Sequence, residues 1–229
     1  MSADVRPRTA FVVFARHPSR ESKQLGLGKR RDGSVFSTML QRTLRVVRAA
    51  GQADHLFIVG ERIAAQGFKA ISQRQGDFET RLRAAYQDVF ALGYQRVVLV
   101  GSDTPSLSVS DLRRAAATNT VSVGPSTDGG LYLLALERED IDQLKDLPWQ
   151  TPALIDAVEL RFCRRGIQWG LQRADIDDQS DLIGLSARER SVLGLEPTCQ
   201  LGPVWSRRQR PYRAAPLVRE APGLAPPLT

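Results

Sequence analysis

The sequence predicts an α/β fold with three layers, in which a mostly parallel β-sheet carries helices on both faces. Short apolar runs alternate with amphipathic stretches of 12–17 residues between residues 9 and 195, and this alternation is typical of sheets built from strand–helix–strand units. Several apolar runs end abruptly in polar, glycine-containing segments, which is where such sheets bind ligands. The length of 229 residues favours one domain, residues 1–195, followed by a tail.

Strands are predicted where β-branched and aromatic residues form short apolar runs. These runs are residues 9–16 (TAFVVFAR), 55–60 (HLFIVG), 96–101 (RVVLVG), 120–126 (TVSVGPS), 131–136 (LYLLAL) and 167–172 (IQWGLQ). Helices are predicted where apolar residues recur at helical spacing between capping residues and glycines. These stretches are residues 35–51, 77–93, 108–119 and 151–166, with a last short helix within 185–195.

The composition excludes several classes of protein. A hydrophobic content of 42% and a charged content of 25% are ordinary for a globular domain. The two cysteines, Cys163 and Cys199, are too few for a disulfide framework or a clustered zinc site, and the helical pattern around Cys163 predicts a place in the core. No apolar run approaches the roughly 18 residues of a membrane span, and no signal-peptide pattern is present, so we expect a cytoplasmic protein without a membrane partner.

The net charge of +7 is unevenly distributed. Residues 1–50 hold 11 Lys/Arg against 3 Asp/Glu, whereas residues 51–195 hold 16 against 20. The basic excess is either solvated surface or a site for a polyphosphate. Nucleic acid is not an expected partner, because basic and aromatic residues are not interleaved. Residues 196–229 are basic and rich in proline, and are predicted to form a disordered tail.

Asp103 is the first candidate site residue, because a buried strand ends directly before it. The sequence "VVLVGSDTPSLS" turns from four apolar residues to a carboxylate flanked by Ser102 and Thr104. Such a carboxylate is placed to bind a metal or a sugar hydroxyl, since Mg²⁺ favours one or two carboxylates together with substrate phosphates. The alternative is a capping aspartate in a tight turn.

Two further segments carry carboxylates at strand ends. Asp128, Gly129 and Gly130 form either a hairpin turn or a place where a ligand approaches the backbone closely. The segment "RADIDDQSDL" holds four carboxylates, Asp175, Asp177, Asp178 and Asp181, one of which could supply a second metal ligand. Its alternative is a solvated acidic loop that caps a helix.

The segment "ESKQLGLGKRR" follows the first predicted strand and is basic and rich in glycine. It matches neither the Walker A pattern nor G-x-G-x-x-G, but Lys23, Lys29 and Arg30 suit nucleotide phosphates by charge. A disordered basic loop is the alternative. In "QRQGDFETRL", Asp77 is predicted to cap or begin a helix, and Gln75 could offer its amide to the edge of a base.

Taken together, these segments resemble the uncharacterised bacterial family DUF2064, described as glycosyltransferase-like and related to nucleotide-diphospho-sugar transferases of the GT-A fold and to 2-phospho-lactate guanylyltransferases. The resemblance covers roughly residues 9–184. It rests on five segments in order, "QRQGDFETRL", "VLVGSDTPSL", "VGPSTDGGLYLLAL", "LPWQTP" and "ADIDDQSDL". The first loop departs from the family's K-T-R-L run.

The resemblance implies a Rossmann-like GT-A sheet that binds a nucleotide with Mg²⁺ or Mn²⁺. It assigns Asp103, with Asp175 or Asp177, to the metal, places Gly129 and Gly130 in the donor or sugar pocket beside Asp128, and places Gln75 and Asp77 by the nucleobase. Beyond the resemblance, we expect Asp128 to contact the acceptor or to act as a general base. The other expected nucleotide or substrate contacts are Lys23, Lys29 and Arg30 of the basic loop, with Ser102 and Thr104 beside Asp103.

The function expected on this basis is metal-dependent transfer from a nucleotide-sugar donor to a small-molecule acceptor. In that reaction the metal and the basic loop neutralise the diphosphate leaving group, and no protein nucleophile is needed. One alternative is a nucleotidyltransferase that joins a nucleoside triphosphate to a phosphorylated small molecule. The other is a nucleotide-binding or scaffold protein with impaired catalysis, consistent with the departure in the first loop.

Overall fold

The computed structural model describes residues 8–18, 23–51, 55–60 and 63–195. The predicted disordered tail, residues 196–229, lies outside the described residues. Within the described residues, seven strands form one sheet, and they are β1 (Thr9–Phe14), β2 (His55–Gly60), β3 (Lys69–Ser72), β4 (Arg96–Val100), β5 (Val121–Pro125), β6 (Leu131–Glu137) and β7 (Ile167–Trp169). Five α-helices accompany them, α1 (Lys29–Ala50), α2 (Phe78–Ala91), α3 (Val109–Ala116), α4 (Leu154–Phe162) and α5 (Ala187–Val192), with a 3₁₀ helix at Arg138–Leu144.

The strand order is β3-β2-β1-β4-β6-β5-β7. All neighbouring strands run parallel except at β6, which is antiparallel to both β4 and β5. The single reversal follows from the short turn between β5 and β6, because a two-strand hairpin joins antiparallel neighbours. The predicted fold class, a mostly parallel three-layer α/β/α sheet, is confirmed.

The two faces of the sheet carry separate hydrophobic clusters. Along β1, Ala10 and Val12 face the cluster that contains α2 and α4, whereas Phe11 and Val13 face the cluster that contains α1 and α3. Successive side chains of a strand point to opposite faces, so strands covered on both sides need continuous apolar runs. This requirement explains why the central strands were readily predicted.

Several elements differ from the predicted ones. Helix α1 begins at Lys29, six residues before the predicted start, so Lys29 and Arg30 lie in its first turn. Strand β3 and the 3₁₀ helix were not predicted. Helix α4 covers only Leu154–Phe162 of the predicted stretch, and Cys163 is exposed rather than in the core, because it follows the last buried position of that helix, Phe162.

A third, smaller cluster holds the loop formed by residues 23–28, directly before α1. Leu25 is fully buried there with Ile176 and with apolar residues of α1. The carboxylate of Asp32, in the first turn of α1, accepts hydrogen bonds from the backbone N–H groups of Leu25 and Leu27, at 3.3 and 3.1 Å. The loop is therefore held against α1, and Lys23 stands two residues from a buried anchor.

No helix in the described part of the chain combines the length and the apolar composition that a membrane crossing needs.

The antiparallel strand β6 makes a testable contribution to stability. Leu136 is fully buried in β6, whereas Leu160 on α4 is 77% exposed. We expect Leu136→Ala to lower the free energy of unfolding by about 2–5 kcal/mol, because it removes buried surface and leaves a cavity. The matched variant Leu160→Ala should change it by less than about 0.5 kcal/mol. Urea denaturation measures both, and equal effects would contradict the described burial.

Candidate functional site

The candidate site lies at the carboxyl ends of β4 and β5, where the backbone brings three acidic segments together. Asp103 follows β4, and its carbonyl oxygen accepts a hydrogen bond from the Ile176 N–H at 3.0 Å. The N–H of Thr127 donates to the Arg173 carbonyl oxygen at 2.9 Å. The acidic loop, residues 173–181, is therefore paired with both strand-end segments.

Arg173 fixes the start of the acidic loop. Its guanidinium lies 2.7 Å from the carboxylate of Asp111, whose side chain is almost fully buried, and it stands over the ring of Tyr132. Asp111 also belongs to the capping box of α3. The loop that carries Asp175 and Asp177 is thereby tied to the body of the domain rather than left to solvent.

Four carboxylates converge at this edge, and we call Asp103, Asp128, Asp175 and Asp177 the acidic cluster. One carboxylate oxygen from each of Asp128, Asp175 and Asp177 lies within 4.8 Å of the others. The predicted ligand set instead combined Asp103 with Asp175 and Asp177. The structure brings Asp128 into the group and pairs Asp103 with a lysine.

Asp128 is oriented by the turn that contains it. Its Oδ1 accepts hydrogen bonds from the hydroxyl of Ser126 at 2.5 Å and from the N–H of Gly130 at 2.8 Å. Gly129 has φ +97°, and a Cβ atom there would approach the backbone of Pro152 to 3.0 Å. A side chain at Gly129 would thus be strained. The segment is both the predicted hairpin turn and part of the site.

Lys23 binds two members of the acidic cluster. Its Nζ lies 2.6 Å from Oδ2 of Asp103 and makes a second ion pair with Oδ1 of Asp177. The backbone next to it pairs with the acidic loop, since Gln24 and Asp178 form a parallel bridge. Lys23 was predicted to contact nucleotide; in this structure its ammonium is a counterion of the cluster.

The crowded charges perturb the acid–base chemistry. Burial, followed by the charges of Asp128, Asp103 and Asp177, raises the pKa of Asp175 to about 8. Burial also raises the pKa of Asp177, although Lys23 opposes the rise. Burial alone would lower the pKa of Lys23, but Asp103 and Asp177 outweigh it and raise that pKa. The cluster therefore holds more negative charge than one lysine compensates.

The acidic cluster opens into a cavity of about 610 Å³, which we call the central cavity. This volume falls within the roughly 300–1,000 Å³ of small-molecule sites. One wall is aromatic, because Phe78 contacts Phe14 and Trp149 with ring centroids 6.1 and 5.5 Å apart. The predicted residues that line it are Lys23, Ser102, Asp103, Asp128, Gly130, Asp175 and Asp177.

Other predicted residues lie outside the lining of the central cavity. Lys29 lines a neighbouring, larger groove of about 1,370 Å³ along α1. The next residue in the chain, Arg30, is exposed. Asp77 caps α2 through a 2.8 Å bond from the Thr80 N–H, as predicted. Hydrogen bonding by the Thr80 side chain, and then by its backbone N–H, lowers the pKa of Asp77. Gln75 is exposed.

Thr104 and Gly129 are the remaining predicted residues. Thr104 is 3% exposed, and its hydroxyl has no hydrogen-bond partner among the described residues. Gly129 supports the cavity indirectly, because it packs on Pro152 and Pro152 lines the cavity. A contact between any of these residues and a nucleotide stays a prediction.

The sequence did not point to Gln73 and Arg81, which also line the central cavity. The Arg81 guanidinium donates to Oε1 of Gln73 at 3.0 Å. Because arginine is only a donor, this bond fixes the amide orientation, and the Gln73 Nε2 has no partner among the described residues. In the sequence, Gln73 could have been identified only as the other glutamine of the Q-x-Q segment that contains Gln75.

Comparisons with solved structures find the same fold in proteins that are less than 25% identical to this chain. A crystal structure from Desulfovibrio desulfuricans G20, provisionally described as a nucleotide-diphospho-sugar transferase, is 23% identical and covers 81% of this chain and 92% of its own, with a TM-score of 0.67. The manganese complex of Rv0371C from Mycobacterium tuberculosis H37Rv is 23% identical (77% and 97% covered, TM-score 0.53). A nucleotidyl transferase from Methanothermobacter is 18% identical (82% and 98% covered, TM-score 0.54).

The family follows from the sequence itself. Residues 37–151 match the family model described as "Uncharacterized protein conserved in bacteria (DUF2064)", and the chain belongs to this family. A comparison with curated protein sequences finds no match.

The acidic cluster suits a divalent cation. Its donors are all carboxylate oxygens, which Mg²⁺ and Mn²⁺ prefer. Burial first, and then the negative charges of Asp128, Asp103 and Asp177, raise the pKa of Asp175, and a divalent cation would offset that negative charge. Asp175 and Asp177, with Asp128, are the residues close enough together to hold one.

The pKa of Asp175 predicts a pH-dependent stability in the absence of metal. Between its ordinary value of 3.8 and about 8, the folded protein keeps a proton that the unfolded chain has lost. The free energy of unfolding should therefore fall as the pH rises through this window, with a slope of at most about 1.4 kcal/mol per pH unit for one proton. Above pH 8 the contribution of Asp175 becomes flat.

Denaturation at several pH values in EDTA measures this slope. Asp175→Asn should reduce it, because the titrating group is gone. Asp156→Asn, at an exposed position on α4, should retain it. An unchanged slope in Asp175→Asn would contradict the assignment.

Proposed function

We infer that the protein is a metal-dependent transferase that uses a nucleotide-sugar donor. One observation carries this proposal, namely that the acidic cluster and Lys23 meet at one side of the central cavity. A diphosphate needs both a divalent cation and basic side chains around its oxygens. A cluster of carboxylates beside the ammonium of Lys23 provides both.

When bound, a divalent cation would neutralise the negative charge that develops on the leaving diphosphate. The chain contributes its ligands from two segments, Asp175 and Asp177 on the acidic loop and Asp128 on the β5–β6 turn. The pairing of both segments through the backbone holds these carboxylates in place before any ligand arrives. Such preorganisation reduces the reorganisation that binding requires.

The aromatic part of the cavity lining suits a nucleoside. Phe78 and Trp149 offer aromatic surface for a base or a ribose. The Gln73 amide also lines the cavity, and its oxygen accepts a hydrogen bond from Arg81.

Asp128 is the carboxylate best placed to meet an acceptor. It is exposed, and both hydrogen bonds that orient it go to Oδ1, which leaves Oδ2 for a ligand. A carboxylate held in this way is suited to accept a proton from an acceptor hydroxyl. This role competes with metal ligation, and the two are separable by measuring metal affinity and turnover in Asp128→Asn.

Nucleotidyl transfer is the second candidate. In this reaction a phosphate of the acceptor would attack the α-phosphorus of a nucleoside triphosphate, and pyrophosphate would leave. The acidic cluster, through a bound cation, and Lys23 would neutralise the negative charge of the phosphates. The fold is shared with a nucleotidyl transferase at a TM-score of 0.54. Product analysis separates the two reactions, because sugar transfer releases a nucleoside diphosphate instead of pyrophosphate.

The proposal predicts metal-dependent stabilisation by a nucleotide. A thermal-shift screen would compare UDP, GDP, CDP, ADP and the corresponding triphosphates with Mn²⁺ and with EDTA. A ligand at 100 times its Kd adds about 2.7 kcal/mol, or a rise in Tm of about 5–10 °C for a domain of this size. The rise should require Mn²⁺ and should be lost in Asp177→Asn but kept in Asp156→Asn.

The outcomes discriminate among the hypotheses. Stabilisation by nucleotide and metal followed by release of a nucleoside diphosphate supports the leading proposal. Binding without turnover in the presence of candidate acceptors favours the scaffold alternative. No shift with any nucleotide, in protein that folds normally, contradicts a nucleotide-dependent function.

A further inference from the structure

We propose that Lys23 is a built-in counterion that competes with the divalent cation, and that nucleotide phosphates relieve this competition by withdrawing the lysine from the acidic cluster. The metal would then bind tightly only together with a nucleotide. This inference rests on the proposed function for its second step. The first step, competition between Lys23 and the metal, concerns the chain and the cation alone.

The competition follows from a shared ligand. Asp177 is ion-paired with Lys23 and also belongs to the group of three carboxylates that lie within 4.8 Å of one another. Mg²⁺ and Mn²⁺ bind carboxylate oxygens at about 2.0–2.2 Å, so a cation on Asp177 would stand within about 5 Å of the Lys23 Nζ. Two positive groups at this distance in a partly buried site repel each other.

Lys23 also holds Asp103 away from the metal. Its Nζ lies 2.6 Å from Oδ2 of Asp103, the carboxylate that the sequence assigned to the metal. In this structure Asp103 is a partner of the lysine, whereas Asp128 joins the group suited to a cation. Departure of Lys23 would release Asp103 and Asp177 together, which would add a ligand and remove a repulsion in one step.

The Lys23 side chain can change position while the neighbouring backbone stays fixed. Leu25 is fully buried, and Gln24 pairs with Asp178, so the chain beside Lys23 is anchored. The side chain is a flexible four-carbon stem that is 25% exposed and lines the central cavity. Phosphates entering this cavity would offer the ammonium new partners within the reach of its own stem.

The two steps have a thermodynamic signature. If Lys23 opposes the metal and binds phosphate, then nucleotide and metal must strengthen each other's binding by the same factor. Direct contact between the metal and the phosphates also couples their binding, but this contribution to the coupling does not depend on the lysine. Removing the ammonium should therefore tighten metal binding alone and reduce the coupling.

The experiment measures Mn²⁺ binding from the electron paramagnetic resonance signal of the free ion, in wild type, Lys23→Met and Lys23→Gln. Lys145→Met, at an exposed position after the 3₁₀ helix, is the matched control. Without nucleotide, both Lys23 variants should bind Mn²⁺ at least about fivefold more tightly than wild type, and Lys145→Met should not differ. Equal or weaker Mn²⁺ binding in folded Lys23 variants overturns the counterion role.

The second arm repeats the titration with UDP, GDP, CDP and ADP in turn. Complexes of Mn²⁺ with nucleotide in solution are common to all variants and cancel in the comparison. The gain in Mn²⁺ affinity caused by nucleotide should be smaller in Lys23→Met than in wild type, and an equal gain overturns the coupling. If no nucleotide affects any variant, the proposed function and the coupling both fail, while the metal-only arm still decides the counterion role.

Discussion

Repulsion among four carboxylates is the constraint on which the site depends. Asp103, Asp128, Asp175 and Asp177 come from three segments of the chain, yet they are brought to one edge of the sheet. Backbone hydrogen bonds from Ile176 to Asp103 and from Thr127 to Arg173 hold them there. Burial, followed by the charges of the other three carboxylates, raises the pKa of Asp175, and Lys23 is ion-paired with both Asp103 and Asp177. A protein that needed only stability would not gather these charges, so we attribute the arrangement to ligand binding.

Much of the fold was predictable because the central strands are buried on both faces. Continuous apolar runs such as β4 leave little ambiguity, and the turn at Asp128–Gly130 correctly indicated the hairpin of β5 and β6. Strand β3 was missed because it is an exposed edge strand with a lysine and a serine at its ends, so it has no apolar pattern. The early start of α1 was missed because its first turn is polar and largely exposed, and its order comes from Asp32 bonding back to the loop.

The site was predictable in part for a different reason. Each carboxylate follows a strand or a strand-like run, and the carboxyl ends of parallel strands share one edge, so their proximity could be expected from topology alone. The pairing of Asp103 with Lys23 could not be expected from topology, because Lys23 is 80 residues away and its position is set by the burial of Leu25. The cavity wall of Gln73 and Arg81 likewise depends on a side-chain contact that sequence periodicity does not encode.

We infer that the acidic cluster holds a divalent cation beside nucleotide phosphates, and that Lys23 then contacts those phosphates. The most direct test is a crystal structure of the protein with Mn²⁺ and a nucleoside diphosphate, with the metal located by its anomalous scattering. We expect a Mn²⁺ peak coordinated by Asp175 and Asp177, and a Lys23 Nζ that contacts phosphate instead of Asp103. A Mn²⁺ peak outside the acidic cluster, or a Lys23 that remains on Asp103 and Asp177 with both ligands bound, would contradict this inference.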